Sequence, residues 1–376
     1  MKETSTPGLL IFLKGVSPMK NELQKRNLPP LRSRDEMKEI LQREVYGYLP
    51  DLPYEIHTGE PSFIEQRLDF GRVHFSQQDF TITTAHGSHT FPLYRLLHTD
   101  GEKRPVILLI NFHPANASFY FPTEELSEHN VDYFIFNYKD VTSDDTDFTN
   151  GIAPILLPNG RQTDTDPGKI IMWAWTAMRV LDYVLTLPGT DPSNVAVLGH
   201  SRLGKTALVA GMLDTRFQYA FSNCSGCAGA ALAHGGTGLT TEGPYGTPGR
   251  GETIRDVLGF THWFCKNYNK YREQNFSDDF DQHYLVASIA PRYVVIGSNS
   301  RDDWADPASE QLCALAASEA WETAGLPGIL GCDHFLAPGE ALLEGRVGYF
   351  KVDFFHFLSR HCWQRYLQFI EQHKND

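Results

Sequence analysis

A segment that passes directly from an apolar strand pattern into a helical pattern carries a candidate nucleophile. A strand is predicted over Asn194–Gly199, and after two intervening residues helical periodicity begins, over Arg202–Leu213. Such a tight strand-to-helix turn, called a nucleophile elbow, raises a serine hydroxyl above the edge of a sheet. The second glycine of the motif, Gly204, comes one position later than in G-x-S-x-G. Ser201 is therefore either a nucleophile or only the N-cap of the helix that follows.

A serine hydrolase of this type also needs an acid and a base, in the chain order Ser, Asp, His. The acid is expected after a late strand, and the predicted strand Tyr293–Gly297 is followed by an acidic segment at 298–307. The base is expected on a loop before the last helix. His334 and His356 both have that position, so position alone leaves both histidines open.

Several ordered blocks between residues 195 and 369 resemble the glucuronoyl esterases, a family of carbohydrate esterases. They are Ser201–Lys205, Ser222–Leu232, Gly251–Thr253, His262–Phe264, Asp281–His283, Ile289–Arg292 and Trp304–Pro307. The resemblance implies an α/β-hydrolase fold, with a mostly parallel central sheet, helices on both faces and the order Ser-Asp-His. It also implies a serine esterase that requires no metal ion and no organic cofactor.

The resemblance distinguishes between the two candidate bases. The family ends in a segment of the form G-Y-H-x-R-x-G-x-H, followed by a tryptophan helix, and the last histidine is the base. Gly348–His356 has the same length and Trp363 follows it, so His356 matches the base and His334 becomes a loop or core histidine. Three residues of this segment depart from the pattern: Phe350, Lys351 and Phe355.

The acid has two positions within the family. Fungal members have a glutamate at the position of Cys224, where a thiol cannot hold an imidazolium as a carboxylate does. Many bacterial members use an aspartate two residues before the tryptophan of the W-A-D-P block, which is Asp302 here. Asp303 is the alternative acid. Asp306 is expected to cap the helix that begins at Pro307.

The resemblance also implies substrate-binding groups. Arg202 matches the oxyanion site, through its backbone N–H and its guanidinium, since a fixed cation stabilises the charge that develops on the carbonyl oxygen of a uronate ester. Lys205, Glu252 and Trp304 match residues that contact the sugar. The Gly- and Thr-rich segment 234–250 is expected to be an insertion that borders the pocket and alters which leaving group fits.

The predicted activity is hydrolysis of the ester between a (4-O-methyl-)glucuronic acid carboxyl and an alcohol, with Ser201, His356 and Asp302 as the triad. In the family the alcohol is a lignin-derived aryl-alkyl group on glucuronoxylan, so the expected partner is a glucuronate ester or a glucuronoxylan-derived carbohydrate. Two alternatives stay open. One is a deacetylase of xylan or oligosaccharides with the same fold, and the other is an inactive carbohydrate-binding relative, which the departures at Cys224, Phe350 and Phe355 favour.

The elements that must position these residues alternate in type along the chain. Short apolar runs at Val106–Phe112 and Tyr133–Tyr138 predict buried strands, and amphipathic patterns predict helices at Ile170–Leu187, Pro307–Ala324 and Ser359–His373. Strands that alternate with helices indicate a mostly parallel sheet covered on both faces. The segment 139–169 is rich in Asp, Thr, Gly and Pro, and so long a loop in a compact domain is usually functional.

The N-terminal part of the chain has a different pattern. Residues 1–60 are predicted to be a leader with a helix, over Arg34–Tyr46, that packs on the rest of the protein. Alternating polarity at Arg67–Phe75 and Asp79–Leu97 predicts antiparallel strands. Residues 61–376 are predicted to form one α/β-hydrolase domain, since no linker or internal repeat divides them.

Composition excludes several classes of function. The 376 residues carry a formal net charge of −13, which disfavours nucleic acid and anionic membranes as partners. No run approaches the ~18 apolar residues of a membrane span. The N-terminus as it stands predicts a cytoplasmic protein, whereas an incomplete N-terminus would allow secretion. The six cysteines do not make a disulfide scaffold or complete a metal site, and the oligomeric state is left open.

Overall fold

An eleven-stranded sheet runs through the part of the chain that the computed structural model describes, residues 18–114, 120–235 and 250–376. The strands are β1 Tyr54–Thr58, β2 Ser62–Leu68, β3 Val73–Thr84, β4 Gly87–His98, β5 Arg104–Asn111, β6 Asp132–Asn137, β7 Thr190–His200, β8 Tyr219–Asn223, β9 Tyr293–Asn299, β10 Ala341–Leu342 and β11 Val347–Val352. Their order across the sheet is β1-β3-β4-β6-β5-β7-β8-β9-β11-β10, and β2 also pairs with β3.

The middle of this sheet is parallel, as predicted. Within the series β6-β5-β7-β8-β9-β11, adjacent strands pair in parallel. The pairs formed by β1 to β4, the pair β4 with β6 and the pair β10 with β11 are antiparallel. The apolar runs predicted as buried strands are β5 and β6, within one or two residues. The carboxyl ends of parallel strands meet at one edge, where ligands of α/β proteins bind.

Helices cover both faces of the sheet, which confirms the α/β class. They are α1 Pro18–Gln24, α2 Arg34–Leu41, α3 Thr123–Glu128, α4 Tyr138–Val141, α5 Ala153–Leu156, α6 Lys169–Val184, α7 Arg202–Leu213, α8 Ile254–Val257, α9 His283–Ala287, α10 Pro307–Ala317, α11 Glu319–Thr323 and α12 Arg360–His373. Side chains of β7 alternate between two apolar cores, since Val195 and Val197 face α6 and α7 while Ala196 and Leu198 face α12.

Several predicted segments are divided differently in the structure. The stretch Arg67–Phe75 contains the end of β2, a short 3₁₀ turn and the start of β3, because Phe70 adopts a left-handed conformation at φ 57° that interrupts the extended chain. The predicted helix Pro307–Ala324 is two helices. They meet at Ser318, whose hydroxyl donates to the Ala314 carbonyl and accepts from the Ile329 N–H. Segment 139–169 contains the one-turn helix α5 and part of α4.

The helix predicted over Arg34–Tyr46 is α2 with the turn that follows it, and it packs into the larger core. Leu41, Val45 and Tyr46 are fully buried in the larger core, where α2 continues into a π-helical turn over Gln42–Tyr46. β1 already belongs to the sheet, and the domain boundary at residue 60 stays a prediction. No helix in the described ranges has the length and apolar character to cross a membrane.

Candidate active site

The turn from β7 to α7 has the geometry of a nucleophile elbow. Ser201 adopts φ 58° and ψ −129°, a strained conformation for a residue with a side chain. Its backbone N–H donates to the Asn223 carbonyl at 2.8 Å, which ties the turn to β8. A Cβ at Gly199 would lie 1.9 Å from the Leu203 carbonyl oxygen, so this position requires glycine. Ser201 makes no side-chain capping bond, which disfavours the N-cap alternative.

An acid and an imidazole meet at the same edge of the sheet. Asp302 follows β9, and His356 lies on the loop between β11 and α12. Asp302 Oδ2 lies 2.5 Å from His356 Nδ1, and the Asp302 side chain is only 4% exposed. Asn299 at the end of β9 donates its amide to the carbonyls of Phe355 and Phe357, at 2.5 and 2.8 Å. The residues on both sides of His356 are therefore fixed to the strand that carries the acid.

Ser201 and His356 both line one cavity of about 300 Å³, together with Arg202. No described residue makes a hydrogen bond to the Ser201 hydroxyl. Catalytic hydrogen bonds in free enzymes are often long and shorten only in the complex with substrate. The cavity therefore brings the candidate nucleophile, base and oxyanion residue to one surface.

The other acidic and basic candidates have different surroundings. His334 is exposed, and its ring nitrogens contact Asp333 at 2.6 Å and Glu340 at 3.2 Å. It is a loop histidine, as the resemblance implies. Asp303 begins the short helix after Asp302, and its neighbour Asp302 is the residue that contacts His356. Asp306 accepts from the Ser309 N–H at 3.0 Å and caps α10, as predicted.

Cys224 lies directly behind the acid. Its Sγ, an Asp302 carboxylate oxygen and a His356 ring nitrogen lie within 4.8 Å of one another, a grouping that could in principle hold a metal ion. Burial, with the nearby carboxylate of Asp302, raises the pKa of the Cys224 thiol well above its usual value. The thiol therefore stays protonated and neutral at neutral pH, and a metal ion would have to displace its proton.

Two residues that sequence reasoning missed lie near the candidate base and the candidate acid. The His200 ring packs 4.4 Å from the His356 ring and lies 3.0 Å from the Asn223 amide. Burial lowers its pKa well below the usual value, so it is a neutral partner. Glu310 on α10 accepts from Ser298 Oγ at 2.5 Å and from the Gly226 N–H at 3.0 Å. Neither residue has a spacing signal in the sequence, since each contact depends on the packing of the sheet.

Arg202 is held in a defined orientation. Its guanidinium contacts the rings of Phe112, Phe260 and Trp263, at 5.6, 5.6 and 4.6 Å from the ring centroids, and pairs with Asp144. Its Nε is buried and has no hydrogen-bond partner among the described residues. A buried N–H without a partner costs free energy.

The three predicted sugar-binding residues form one connected group. Lys205 lies one helical turn beyond Ser201, and its buried Nζ donates to Glu252 Oε2 at 2.9 Å and to the Ser225 carbonyl at 2.5 Å. The other Glu252 oxygen accepts from Trp304 Nε1 at 3.1 Å. Trp304 is 45% exposed, and the Arg250 guanidinium lies over its ring, 5.2 Å from the centroid, so the ring is partly open to solvent beside a buried ion pair.

The cavity itself is mainly apolar beyond the catalytic groups. Ten of its lining residues are aromatic or aliphatic and come from β5 and the residue after it, β6, the His356 loop, the start of α12 and the segment before α3: Leu109, Ile110, Phe112, Tyr120, Phe121, Tyr133, Ile135, Phe357, Leu358 and Trp363. Lys205, Glu252 and Trp304 do not line it. Of the predicted insertion 234–250, residues 236–249 lie outside the described part of the chain.

A family model and curated relatives both match this chain, and their descriptions agree. The family model described as glucuronyl esterase of fungi matches residues 81–325, which is more than half of the chain. Carbohydrate esterase MZ0003, from an unknown prokaryotic organism, is 38% identical over 91% of this chain and 84% of its own length. A 4-O-methyl-glucuronoyl methylesterase of Hypocrea jecorina is 27% identical over 79% of this chain and 58% of its own length.

Solved structures agree with the sequence comparison. A promiscuous CE15 esterase from a marine bacterial metagenome has a TM-score of 0.77 at 26% identity, over 99% of this chain and 98% of its own. A glucuronoyl esterase from Solibacter usitatus has a TM-score of 0.76 at 26% identity, over 91% of this chain and 92% of its own. The similarity in fold therefore extends over nearly the whole chain.

Proposed function

The chain belongs to the glucuronyl esterase family of carboxylic ester hydrolases, and we propose that it hydrolyses the ester between the carboxyl group of a (4-O-methyl-)glucuronic acid and an alcohol. The observation that carries the proposal is that Ser201 lines the apolar cavity and that Lys205, one helical turn further along α7, contacts Glu252, which in turn contacts Trp304.

The group of Lys205, Glu252 and Trp304 suits the sugar. A carboxylate and an ammonium can bind neighbouring hydroxyls, and the partly exposed Trp304 side chain can pack under a pyranose ring. The apolar cavity suits the alcohol, and its volume of about 300 Å³ would accommodate an aryl group. The uronate carbonyl, which joins the two parts, would then lie over Ser201 and next to Arg202.

Acylation in this proposal begins when Ser201 Oγ attacks the carboxyl carbon and His356 accepts its proton. The hydrogen bond between Asp302 and His356 Nδ1 leaves His356 Nε2 free to act as the base, and the carboxylate stabilises the imidazolium that forms. The Arg202 backbone N–H, at the first turn of α7, and its side-chain Nε would donate to the oxyanion. The alcohol leaves with the proton from His356, and the glucuronate stays as an ester of Ser201.

Deacylation reverses these roles. Water gives a proton to His356 and attacks the acyl carbon, and a second oxyanion forms at the same donors. When that intermediate collapses, Ser201 regains its proton from His356 and glucuronate leaves. The proposed steps use side chains, the Arg202 backbone N–H and water.

The proposal is tested by comparing three esters on the wild-type protein and on Ser201→Ala: benzyl glucuronate, methyl glucuronate and acetylated xylo-oligosaccharides. We expect benzyl glucuronate to have the highest kcat/KM, because the methyl ester leaves the apolar cavity empty. Ser201→Ala should abolish the activity. Faster release of acetate than of benzyl alcohol would instead identify a deacetylase.

An inactive relative is the remaining alternative, and it predicts that a fluorophosphonate does not label Ser201. The structure gives this alternative little support. Asp302 supplies a carboxylate to His356 although Cys224 does not, Phe350 is buried under Tyr366, and Phe355 is exposed. We therefore expect stoichiometric labelling of Ser201 in the wild-type protein.

A further inference from the structure

Asp144, in the long segment between β6 and α6, has an unusual set of contacts. Its Oδ1 accepts from His262 Nε2 at 3.0 Å and from Trp263 Nε1 at 2.7 Å, and its Oδ2 accepts from Tyr138 Oη at 2.9 Å and from Arg202 Nη1. The carboxylate is only 7% exposed. Both oxygens are thus satisfied by donors from three separate parts of the fold.

These contacts keep the carboxyl group charged. Burial opposes its ionisation, but the hydrogen bonds from His262 and Trp263 and the charge of Arg202 outweigh burial and hold the pKa of Asp144 well below its usual range. An ion pair with this many hydrogen bonds has a fixed geometry. Asp144 therefore presents one anionic oxygen at a fixed place to the Arg202 guanidinium.

Trp263, one of the residues that bind Asp144, also limits the Arg202 side chain. Trp263 donates to the carboxylate and packs its ring 4.6 Å from the guanidinium carbon. Phe112 and Phe260 contact the guanidinium as well. With Nη1 bound to Asp144 and the rings around it, the guanidinium cannot rotate freely, and the buried Nε keeps its N–H without a partner among the described residues.

We propose that Asp144 is a positioning residue for transition-state stabilisation: it fixes the Arg202 guanidinium so that Nε–H meets the oxyanion formed at Ser201. This inference rests on the proposed function, since it assigns a part of the oxyanion site. It also gives a role to the long loop 139–169. Asp144 acts through Arg202 and touches neither the substrate nor the reacting atoms.

The test is a double-mutant cycle with benzyl glucuronate as substrate. Active sites are counted by fluorophosphonate labelling, so that misfolded protein does not affect kcat. Loss of an oxyanion donor lowers kcat roughly 10²- to 10³-fold, and we expect this of Arg202→Ala. For Asp144→Asn we expect a decrease of roughly 10- to 100-fold, because the cation stays but is misplaced. KM should change less than about twofold, since ground-state binding is untouched.

The discriminating result is the double variant. If Asp144 acts only through Arg202, Asp144→Asn should not lower kcat further in the Arg202→Ala background. Additive losses, or a wild-type kcat for Asp144→Asn, would overturn the proposal. Asp145→Asn is the matched control. It removes a charge from the same loop, and it should keep wild-type kcat, because Asp145 is exposed and its hydrogen bonds within the described ranges are to Ser143 and the Asp147 N–H.

The experiment also distinguishes failure of the proposed function from failure of the Asp144→Asn variant to fold. If the wild-type protein hydrolyses no glucuronate ester, the proposed function fails, whatever Asp144 does. If Asp144→Asn does not fold, Asp144→Glu replaces it in both backgrounds, because it keeps the charge and moves it by one methylene. We expect Asp144→Glu to lower kcat in the wild-type background and to have no effect in Arg202→Ala. Equal effects in both backgrounds would refute positioning.

Discussion

Replacing Asp302 by asparagine tests the assignment of the acid. The carboxylate lies 2.5 Å from His356 Nδ1 and is nearly fully buried, so its charge is poorly screened. Two unit charges about 4 Å apart, at an effective dielectric constant of about 20, attract by about 4 kcal/mol. This attraction stabilises the imidazolium of the transition state, and about 1.4 kcal/mol corresponds to tenfold in rate. We therefore expect kcat to fall about a thousandfold.

An additional effect acts in the same direction. An asparagine amide can donate to Nδ1, and the imidazole then carries its proton on Nε2, where it cannot accept the proton of Ser201. The assay is steady-state hydrolysis of benzyl glucuronate, with Asp303→Asn as the matched control because the two aspartates are adjacent. We expect the control to keep kcat within about threefold, as is usual for a substitution away from the chemistry. A small effect of Asp302→Asn, or a large one of Asp303→Asn, would refute the assignment.

Four further predictions concern the surroundings of the site. In the Asp302→Asn background, Cys224→Glu should restore kcat about tenfold, because it places a carboxylate within reach of His356; no recovery would contradict the stated proximity. Gly199→Ala should lower the melting temperature severely or prevent folding, since the new Cβ would lie 1.9 Å from a carbonyl oxygen. The control Gly189→Ala should be tolerated, because there the nearest atom lies 3.6 Å from the new Cβ. Leu358→Trp fills part of the cavity and should lower kcat/KM for benzyl glucuronate about tenfold, which is the effect of losing about 50 Å² of apolar burial. The kcat/KM for the methyl ester should not change. Burial raises the pKa of Glu310 from 4.5 to about 8. Between these pH values the folded state holds a proton that the unfolded state has lost, so the free energy of unfolding falls as the pH rises. Glu310→Gln should remove this pH dependence in thermal melts and should have the stability of the wild type near pH 4.5.

The centre of the parallel sheet was predictable because two of its strands are short apolar runs. Val106–Phe112 and Tyr133–Tyr138 are apolar on both faces, which only a strand covered on both sides allows. The long helices were predictable from their periodicity. The break at Ser318 was not, since it depends on hydrogen bonds of a single hydroxyl to Ala314 and Ile329.

The candidate site was predictable only in part. The elbow at Ser201 has a local signal, and the resemblance selected His356 over His334. The choice between Asp302 and Asp303 depends on which side chain turns toward the imidazole, and this is set by the loop after β9. Asp144 is 58 residues from Arg202 in the chain, and no motif connects them. Their contact exists because β6, β5 and β7 are neighbours in the sheet. The cytoplasmic location stays a prediction.

The most direct test of the central claim is to trap the acyl-enzyme. Wild-type protein is mixed with benzyl glucuronate and quenched in acid during the first turnover, and its peptides are mapped by mass spectrometry. We predict a glucuronoyl ester on the peptide that contains Ser201, formed together with one equivalent of benzyl alcohol and absent in Ser201→Ala. A modification on another residue, or turnover by Ser201→Ala at the wild-type rate, would contradict the account.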